Sequence, residues 1–330
     1  MGAMNRYLAF ILKLCLVAAV VTAPAAWSQN PPVAVNTDPR NAQVVLPVPA
    51  NPDLPSLILI GDSTVRNGKD DGQGKGAAGQ WGWGNPLAAM FDPAKINIVN
   101  RAIGGLSSRT YLTTRHWQRS LAFAKAGDVV LIQFGHNDAG PVNDNVRARG
   151  TIKGIGDEVE EIDNLMTGER EVVHSYGWYL RTFVADIKAR GATAVICSPI
   201  PRKSWGEDGK IRQSQEGYAG WAGQVARQQK VGFIDLNGII ARQYDAMGRD
   251  EVMKMFPLVT PDEQTHTNLA GAELNARAVV SGLKALGTPV VMTALNAAGL
   301  AIPVAEDNRQ VVGAFQDLPG SPMAAYLKRE

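Results

Sequence analysis

Short apolar runs alternate with longer amphipathic stretches along most of the chain. The apolar runs are bounded by Gly, Pro, Asp or Asn, as is typical of buried strands, and cover residues 57–60, 96–99, 129–134, 194–197 and 232–234. Helical periodicity is clearest at residues 114–126, 176–190, 214–229 and 269–286. This alternation predicts an α/β fold, a three-layer α/β/α sandwich around a mainly parallel central sheet.

Three segments depart from the alternation. Residues 29–55 are rich in Pro, Asn and Ala and predict an extended leader before a folded domain over residues 56–287. Residues 140–173 form a long polar insertion, and such insertions are often binding loops, so this segment is a candidate wall of a substrate cleft. Residues 288–330 have weak periodicity, which leaves open a packed appendix or a loose tail.

The first 28 residues predict a secretory signal peptide. Arg6 and Lys13 precede an apolar run over residues 14–21, and small residues follow up to Ser28. We expect cleavage after Ser28 and export to the periplasm or the medium. The run is short for a membrane-spanning helix, so a retained anchor is the weaker alternative and no stable membrane association is expected after cleavage.

Charge and cysteine content narrow the function classes. The chain carries 33 Lys and Arg against 31 Asp and Glu, and the excess lies in the predicted signal peptide. A neutral remainder gives no electrostatic footprint for nucleic acid. Cys15 lies in the signal segment and Cys197 in an apolar run, so no disulfide is expected in the mature chain and Cys197 is predicted to be a buried core thiol. With four histidines and one cysteine left, no metal site is expected.

Four short polar blocks carry the candidate chemistry. Three of them follow predicted strands, where ligands bind in open α/β sheets, and contain Ser63, Gly105 and Asn137. The Gly105 backbone N–H and the Asn137 amide are candidate donors to an oxyanion. Each block alone is more simply explained as a turn or a helix cap, because Ser, Asp, Asn and Gly are common there.

The fourth block precedes the last predicted helix and contains His266. A carboxylate close to the imidazole can set its tautomer and stabilise its protonated form. Glu263 lies three residues before the histidine and Asp262 lies four residues before it. A solvated surface loop is the ordinary interpretation of this block alone.

Together, the ordered motifs Gly-Asp-Ser, Gly, Gly-x-Asn-Asp and acid-x-x-His resemble the SGNH, or GDSL, hydrolase superfamily over residues 57 to about 275. Residues 80–84 (Gln-Trp-Gly-Trp-Gly), residues 107–110 and His136 resemble its rhamnogalacturonan acetylesterase branch. The resemblance implies a flavodoxin-like sheet and a serine esterase without metal or organic cofactor. It implies that Ser63 is the nucleophile and His266 the base, with an oxyanion hole formed by Ser63, Gly105 and Asn137.

The chain departs from the family pattern at the acid. The family usually carries Asp three residues before the histidine, whereas this chain has Glu263 there. Glu263 keeps the spacing and Asp262 keeps the residue type; we favour Glu263 because spacing sets the geometry of the turn.

The resemblance also implies a substrate, acetyl esters on pectin and particularly on rhamnogalacturonan. We expect Trp83, His136 and Arg109 to contact it. Other tryptophans are candidate sugar platforms, and most of them are expected to be structural: Trp81, Trp178, Trp205 and Trp221. Other basic residues are candidates for galacturonate carboxylates or are solvated surface charges: Arg66, Lys69, Arg202 and Lys203.

Two alternatives to this function stay open. One is a related esterase that acts on xylan acetyl groups or on lipid esters. The other is a carbohydrate-binding protein that kept the fold and lost turnover. The sequence leaves the oligomeric state undetermined.

Overall fold

The computed structural model describes residues 45–66, 68, 75–257 and 263–305. The predicted signal peptide, most of the predicted leader, Lys69, Asp262 and residues 306–330 lie outside the described residues.

Five parallel strands form the central sheet. Along the sheet they are ordered β2 (Asn97–Asn100), β1 (Ser56–Gly61), β3 (Val129–Gln133), β6 (Thr193–Cys197) and β7 (Gly232–Ile234). The predicted strands lie within one residue of these bounds at each end. From β1 the chain adds β2 on one side of the sheet and then β3 and the later strands on the other side. The carboxyl ends of β1 and β3 therefore flank the crevice where doubly wound sheets bind ligands. The predicted fold is confirmed, with the flavodoxin-like strand order.

A separate two-stranded hairpin lies within the insertion. Its strands are β4 (Val159–Asp163) and β5 (Arg170–His174), which pair antiparallel. Sequence reasoning assigned no strands there, because four of the five residues of β4 are exposed, three of them acidic, and only Ile162 is buried.

Eleven helices are described, together with two 3₁₀ turns at Gly76–Ala78 and Ala88–Met90. No helix in the described ranges has the length and apolar character needed to cross a bilayer. The helices are α1 (Ser63–Arg66), α2 (Gly84–Leu87), α3 (Ser108–Thr113), α4 (His116–Leu121), α5 (Tyr176–Ala189), α6 (Tyr218–Gln229), α7 (Leu236–Met247), α8 (Arg249–Met253), α9 (Leu269–Leu286), α10 (Pro289–Ala294) and α11 (Ala297–Leu300).

The predicted continuous helix over residues 114–126 is wrong. The chain forms α3 before it and α4 within it, and Arg115 between them has a left-handed φ of 62°. A capping box starts α3 early, because Ser107 and Thr110 each accept the other's backbone N–H. The periodic pattern reflected the apolar face that the two helices share, but it did not indicate the break at Arg115.

Side chains alternate between the two faces of the sheet and enter two buried clusters. On one face, Leu57, Leu131 and Cys197 pack with residues of α7 and α9. On the other, Ile58 and Ile132 pack with residues of α3 to α6. Burial on both faces explains the near-continuous apolar strands. Cys197 is a buried free thiol, as predicted, and burial raises its pKa.

Residues after α9 also pack on the first cluster. Val291 and Ala294 of α10 and the following Leu295 are buried there. The Asp92 N–H donates to the Ala294 carbonyl at 2.8 Å. The described part of the chain beyond residue 287 is therefore packed.

Candidate active site

Ser63 lies on a tight turn at the carboxyl end of β1. Gly61, the last residue of the strand, has no room for a side chain, since a Cβ there would lie 2.6 Å from the Gln133 carbonyl oxygen. Asp62 is fully buried, and its Oδ1 accepts the Thr64 backbone N–H at 2.9 Å and the Thr64 hydroxyl at 2.7 Å. These hydrogen bonds fix the turn and leave the half-buried Ser63 at the edge of the sheet.

Two further buried side chains extend this network. The Gln133 amide donates to Thr64 Oγ1 at 2.6 Å, and the Trp83 indole N–H donates to Gln133 Oε1 at 2.7 Å. We call Trp83, Gln133, Thr64 and Asp62 the support network. It consists of buried polar groups that bond one another directly beneath the Ser63 turn.

His266 faces Ser63 across the site, although 203 residues separate them in the chain. The distance from Ser63 Oγ to His266 Nε2 is 2.7 Å. On the other side of the ring, Nδ1 lies 2.9 Å from Glu263 Oε2. With a proton on Nδ1 facing the carboxylate, Nε2 accepts the Ser63 hydroxyl.

Glu263 holds the His266 loop as well as the ring. Its Oε1 accepts the backbone N–H of Thr265 at 2.7 Å and of His266 at 2.8 Å, and Gln80 Nε2 donates to Oε2 at 3.0 Å. Burial alone would raise the pKa of Glu263, but the hydrogen bonds from His266 and Thr265 outweigh it, so the pKa is below its ordinary value. Of the two candidate acids, Glu263 occupies the position beside Nδ1, whereas Asp262 lies outside the described residues.

Three N–H groups are the predicted oxyanion donors, those of the Ser63 and Gly105 backbones and of the Asn137 amide. Gly105 has a φ of 82°, a conformation that favours glycine, and within the described residues neither its backbone N–H nor that of Ser63 donates to a protein acceptor. One N–H of the Asn137 amide donates to the Leu106 carbonyl at 2.8 Å, which leaves the other N–H for a ligand. These N–H groups are compatible with the predicted oxyanion hole, which stays a prediction.

The sequence profile of the GDSL-like lipase/acylhydrolase family matches residues 59–274. The chain belongs to this family. It is 31% identical over 233 residues to the rhamnogalacturonan acetylesterase of Emericella nidulans, covering 70% of this chain and 86% of the relative. It is 28% identical to a probable rhamnogalacturonan acetylesterase of Bacillus subtilis, covering 71% and 94%. The expected resemblance is confirmed, and the protein is a carboxylic ester hydrolase.

A solved structure shows the same fold. The chain aligns with the Bacillus subtilis protein YxiM at a TM-score of 0.55 and 22% identity. The alignment covers 71% of this chain and 57% of the other.

Two residues expected to contact substrate in this GDSL hydrolase do not face the cleft. Trp83 is 1% exposed, and its indole N–H is bonded to Gln133 within the support network. Arg109 is fully buried and forms a paired ion bridge with Glu171, at 2.7 and 2.6 Å. Its Nη1 donates to the carbonyls of Val142 and Gly150. Both predictions are wrong, because each polar group is bonded inside the protein.

His136 lies close enough to His266 for the two rings to interact electrostatically. Burial is the main cause that lowers its pKa to about 4, with Asp62 opposing the shift and Arg202 and His266 adding to it. The ring is therefore neutral near neutral pH, and its buried Nε2 has no hydrogen-bond partner among the described residues. The position agrees with the expected role of His136 in substrate contact, which stays a prediction.

Asp138 lies next to Asn137 and is fully buried. Its carboxyl accepts the Ser108 hydroxyl and the Ser108 backbone N–H. Burial raises the pKa of Asp138 to about 7 despite these hydrogen bonds. Among the residues that the structure describes, no three His, Cys, Asp or Glu side chains are grouped so as to hold a metal ion.

Of the tryptophans, Trp81 lies next to the His266 loop. Its backbone N–H donates to the Thr267 carbonyl at 2.7 Å, and the half-buried indole bonds Gly76. The others make structural contacts: Trp178 stacks on His174, Trp205 packs under Arg249, and Trp221 meets Tyr218 edge-on.

The expected basic residues differ in exposure. Arg202 is exposed and donates to Thr265 Oγ1 at 2.8 Å, beside His266. Lys203 is buried, with its ammonium 5.1 Å from the centre of the Phe256 ring. Sequence reasoning missed two arginines of the insertion, Arg147 and Arg149, which lie beside Gly105. No motif marks them, because they approach the site only through the folding of the insertion.

Proposed function

We propose that this hydrolase is a serine esterase that removes acetyl groups from pectin, with rhamnogalacturonan as the main substrate. The observation that carries the proposal is the hydrogen-bonded chain from Ser63 through His266 to Glu263. The identity of 31% to a rhamnogalacturonan acetylesterase supports the substrate class.

The proposed mechanism uses the contacts of Ser63 and His266. Ser63 Oγ attacks the acetyl carbonyl carbon while its proton passes to His266 Nε2, and the Glu263 carboxylate stabilises the imidazolium that results. The oxyanion is held by the backbone N–H groups of Ser63 and Gly105 and by the Asn137 amide. Collapse of the tetrahedral intermediate expels the sugar alkoxide, which takes the proton from His266.

Water completes the turnover. It attacks the acetyl group on Ser63, gives a proton to His266, and forms a second oxyanion in the same donor set. Collapse releases acetic acid, which ionises to acetate in solution, and Ser63 Oγ takes back the proton held by His266. One donor of this kind contributes about 3 to 4 kcal/mol to transition-state stabilisation.

Acetate release from a substrate panel tests this proposal. Acetylated rhamnogalacturonan, acetylated xylan and a long-chain acyl ester are compared, with Ser63→Ala as the blank. We expect the highest kcat/KM on acetylated rhamnogalacturonan. A preference for xylan or for the acyl ester would assign a different substrate, and binding without turnover of any ester would indicate a carbohydrate-binding protein.

Export is part of the proposal. It is supported by the residue pattern of positions 1–28 and predicts a mature protein that starts at Gln29. N-terminal sequencing of protein recovered from the periplasm or medium checks it. An intact Met1 on protein found in the cytoplasm would contradict it.

A further inference from the structure

Two arginines of the insertion reach the open side of Gly105. A side-chain carbon built on Gly105 would lie 3.3 Å from Arg147 Nη1 and 3.8 Å from Arg149 Nη1. Arg149 Nη1 also donates to the Gly105 carbonyl oxygen at 2.8 Å. Both guanidinium groups therefore stand at the edge of the proposed oxyanion hole.

The backbone that carries them is held in one conformation. Asp144 Oδ1 accepts the N–H groups of Val146 and Arg147, both at 2.6 Å, and of Ala148 at 3.2 Å. The bond from Arg147 is the main reason why the pKa of Asp144 is lowered. Ala148, between the two arginines, is buried and has a φ of 39°, which non-glycine residues seldom adopt.

We call residues 142–151 the arginine arm, and both of its ends are hydrogen-bonded to other parts of the protein. The buried Arg109 holds Val142 and Gly150 by their carbonyls, on either side of the two arginines. The Thr151 N–H donates to the Asp138 carbonyl at 3.1 Å, next to Asn137. The arm is thus anchored at both ends, so that Arg147 and Arg149 are presented without a large loss of backbone entropy on binding.

The two guanidinium groups are neighbours of like charge. Among the described residues, no carboxylate lies within ion-pair distance of either guanidinium. Burial, and then the charge of Arg147, lower the pKa of the half-buried Arg149, whereas the more distant charges of Asp62, Asp138 and Asp144 oppose this shift only in part. The exposed Arg147 and the half-buried Arg149 repel each other, and a bound anion would relieve that repulsion.

We propose that Arg147 and Arg149 form a carboxylate subsite that binds a uronate within about one sugar of the acetylated hydroxyl. This inference rests on the proposed function and specifies it, because it makes an acidic glycan the preferred substrate. Guanidinium groups suit the role, since their planar donors match both oxygens of a carboxylate.

Binding of a non-hydrolysable acidic glycan tests the subsite apart from turnover. In Ser63→Ala, titration calorimetry compares trigalacturonate with galactotriose, which lacks the carboxylates. We expect trigalacturonate to bind more tightly, with a Kd that rises with salt because partly exposed charges are screened. Arg147→Gln and Arg149→Gln should each raise that Kd about tenfold, the size of one charge-assisted contact, and leave galactotriose binding unchanged.

Two further variants serve as matched controls. Arg227→Gln removes an exposed arginine in the last turn of α6, ahead of the amino end of β7 and far from the carboxyl edge, and should leave both affinities unchanged. Arg147→Lys keeps the charge and loses the planar fork, so its Kd for trigalacturonate should lie between wild type and Arg147→Gln. Melting temperatures of all variants verify that each has folded.

Equal binding of the two trisaccharides, or an unchanged trigalacturonate Kd in both Gln variants, would overturn the subsite. If acetylated rhamnogalacturonan is still hydrolysed, the proposed function stands without it. If trigalacturonate binding depends on the arginines but no acetylated glycan is hydrolysed, the subsite stands and the proposed function fails.

Discussion

The two sides of the proposed catalytic pair are held by different means. Ser63 stands on the support network, in which buried polar groups bond one another through Asp62, Thr64 and Gln133. His266 is held by one half-buried carboxylate, Glu263, which accepts from two backbone N–H groups, the ring and Gln80. The support network mainly fixes the position of Ser63. Glu263 both fixes the position of His266 and supplies a negative charge beside its ring. We therefore expect damage to the support network to lower stability and loss of the Glu263 carboxylate to lower kcat.

The largest expected effect is the loss of the nucleophile. Ser63→Ala should lower kcat by about 10⁴-fold or more, because no other group can form the acyl-enzyme. The melting temperature should stay close to that of wild type, since the support network does not use the Ser63 hydroxyl. Acetate release and thermal unfolding measure the two quantities. Retained esterase activity in the purified variant would rule out Ser63 as the nucleophile.

Glu263→Gln should lower kcat by about 10² to 10⁴-fold, because an amide cannot balance the imidazolium charge and can present the wrong partner to Nδ1–H. Asp262→Asn is the matched control and should change kcat little. Glu263→Asp restores the usual family residue. It should retain part of the activity if the loop can move enough for the shorter carboxylate to contact His266 Nδ1. The opposite ranking of the Gln and Asn variants would transfer the role to Asp262. No effect from either would leave a Ser63–His266 dyad.

Asn137→Ala should lower kcat by about a hundredfold, the effect of losing one oxyanion donor. KM should change little, because the second amide N–H is expected to act in the transition state. Steady-state kinetics on an aryl acetate separates the two parameters. A change confined to KM would make Asn137 a ground-state binding residue.

Gln133→Leu breaks the support network at its centre. The Trp83 indole loses its acceptor and Thr64 Oγ1 loses a donor, which should lower the free energy of unfolding by about 1 to 3 kcal/mol. Any loss of kcat should be smaller than in Glu263→Gln. Urea unfolding measures the stability, with Gln224→Leu on the exposed face of α6 as the control. A loss of kcat as large as in Glu263→Gln, with an unchanged free energy of unfolding, would contradict the assignment of Gln133 to stability.

The smallest expected effect concerns the pH dependence of stability. The pKa of Asp138 rises from 3.8 to about 7 on folding, so the native state binds more protons than the unfolded state between those values. Its contribution to stability is complete below about pH 4 and is lost as the pH rises through about 7. Asp138→Asn should flatten this decline and be relatively more stable at pH 8. Urea unfolding from pH 4 to 8 tests it, and an unchanged slope would contradict it.

Glu263 should show the opposite sign. Its pKa is lowered on folding, so its contribution is present above its ordinary value of 4.5 and is lost as the pH falls through the folded pKa. The stability difference between wild type and Glu263→Gln should therefore shrink in acid.

Local patterns in the sequence were sufficient for the strands and for the order of the motifs. An apolar run bounded by Gly, Asp or Asn specifies a buried strand through its own residues, and parallel strands bring the polar blocks that follow them to one edge. Ser63, Gly105 and Asn137 were identified as candidates in this way, and His266 by its place just before the last helix. The spacing of Glu263 from His266 was equally local, and the observed contact of 2.9 Å joins residues of one turn.

Tertiary structure alone decided which long polar side chains face the cleft. Trp83 and Arg109 lie in motifs that resemble the family and yet point inward, because their partners, Gln133 and Glu171, are 50 and 62 residues away. Arg147 and Arg149 lie in no motif, and Asp144 and the buried Arg109 hold their segment against Gly105. A side chain's direction depends on groups that reach it only after folding, so the residue type and its neighbours in the chain leave that direction undetermined.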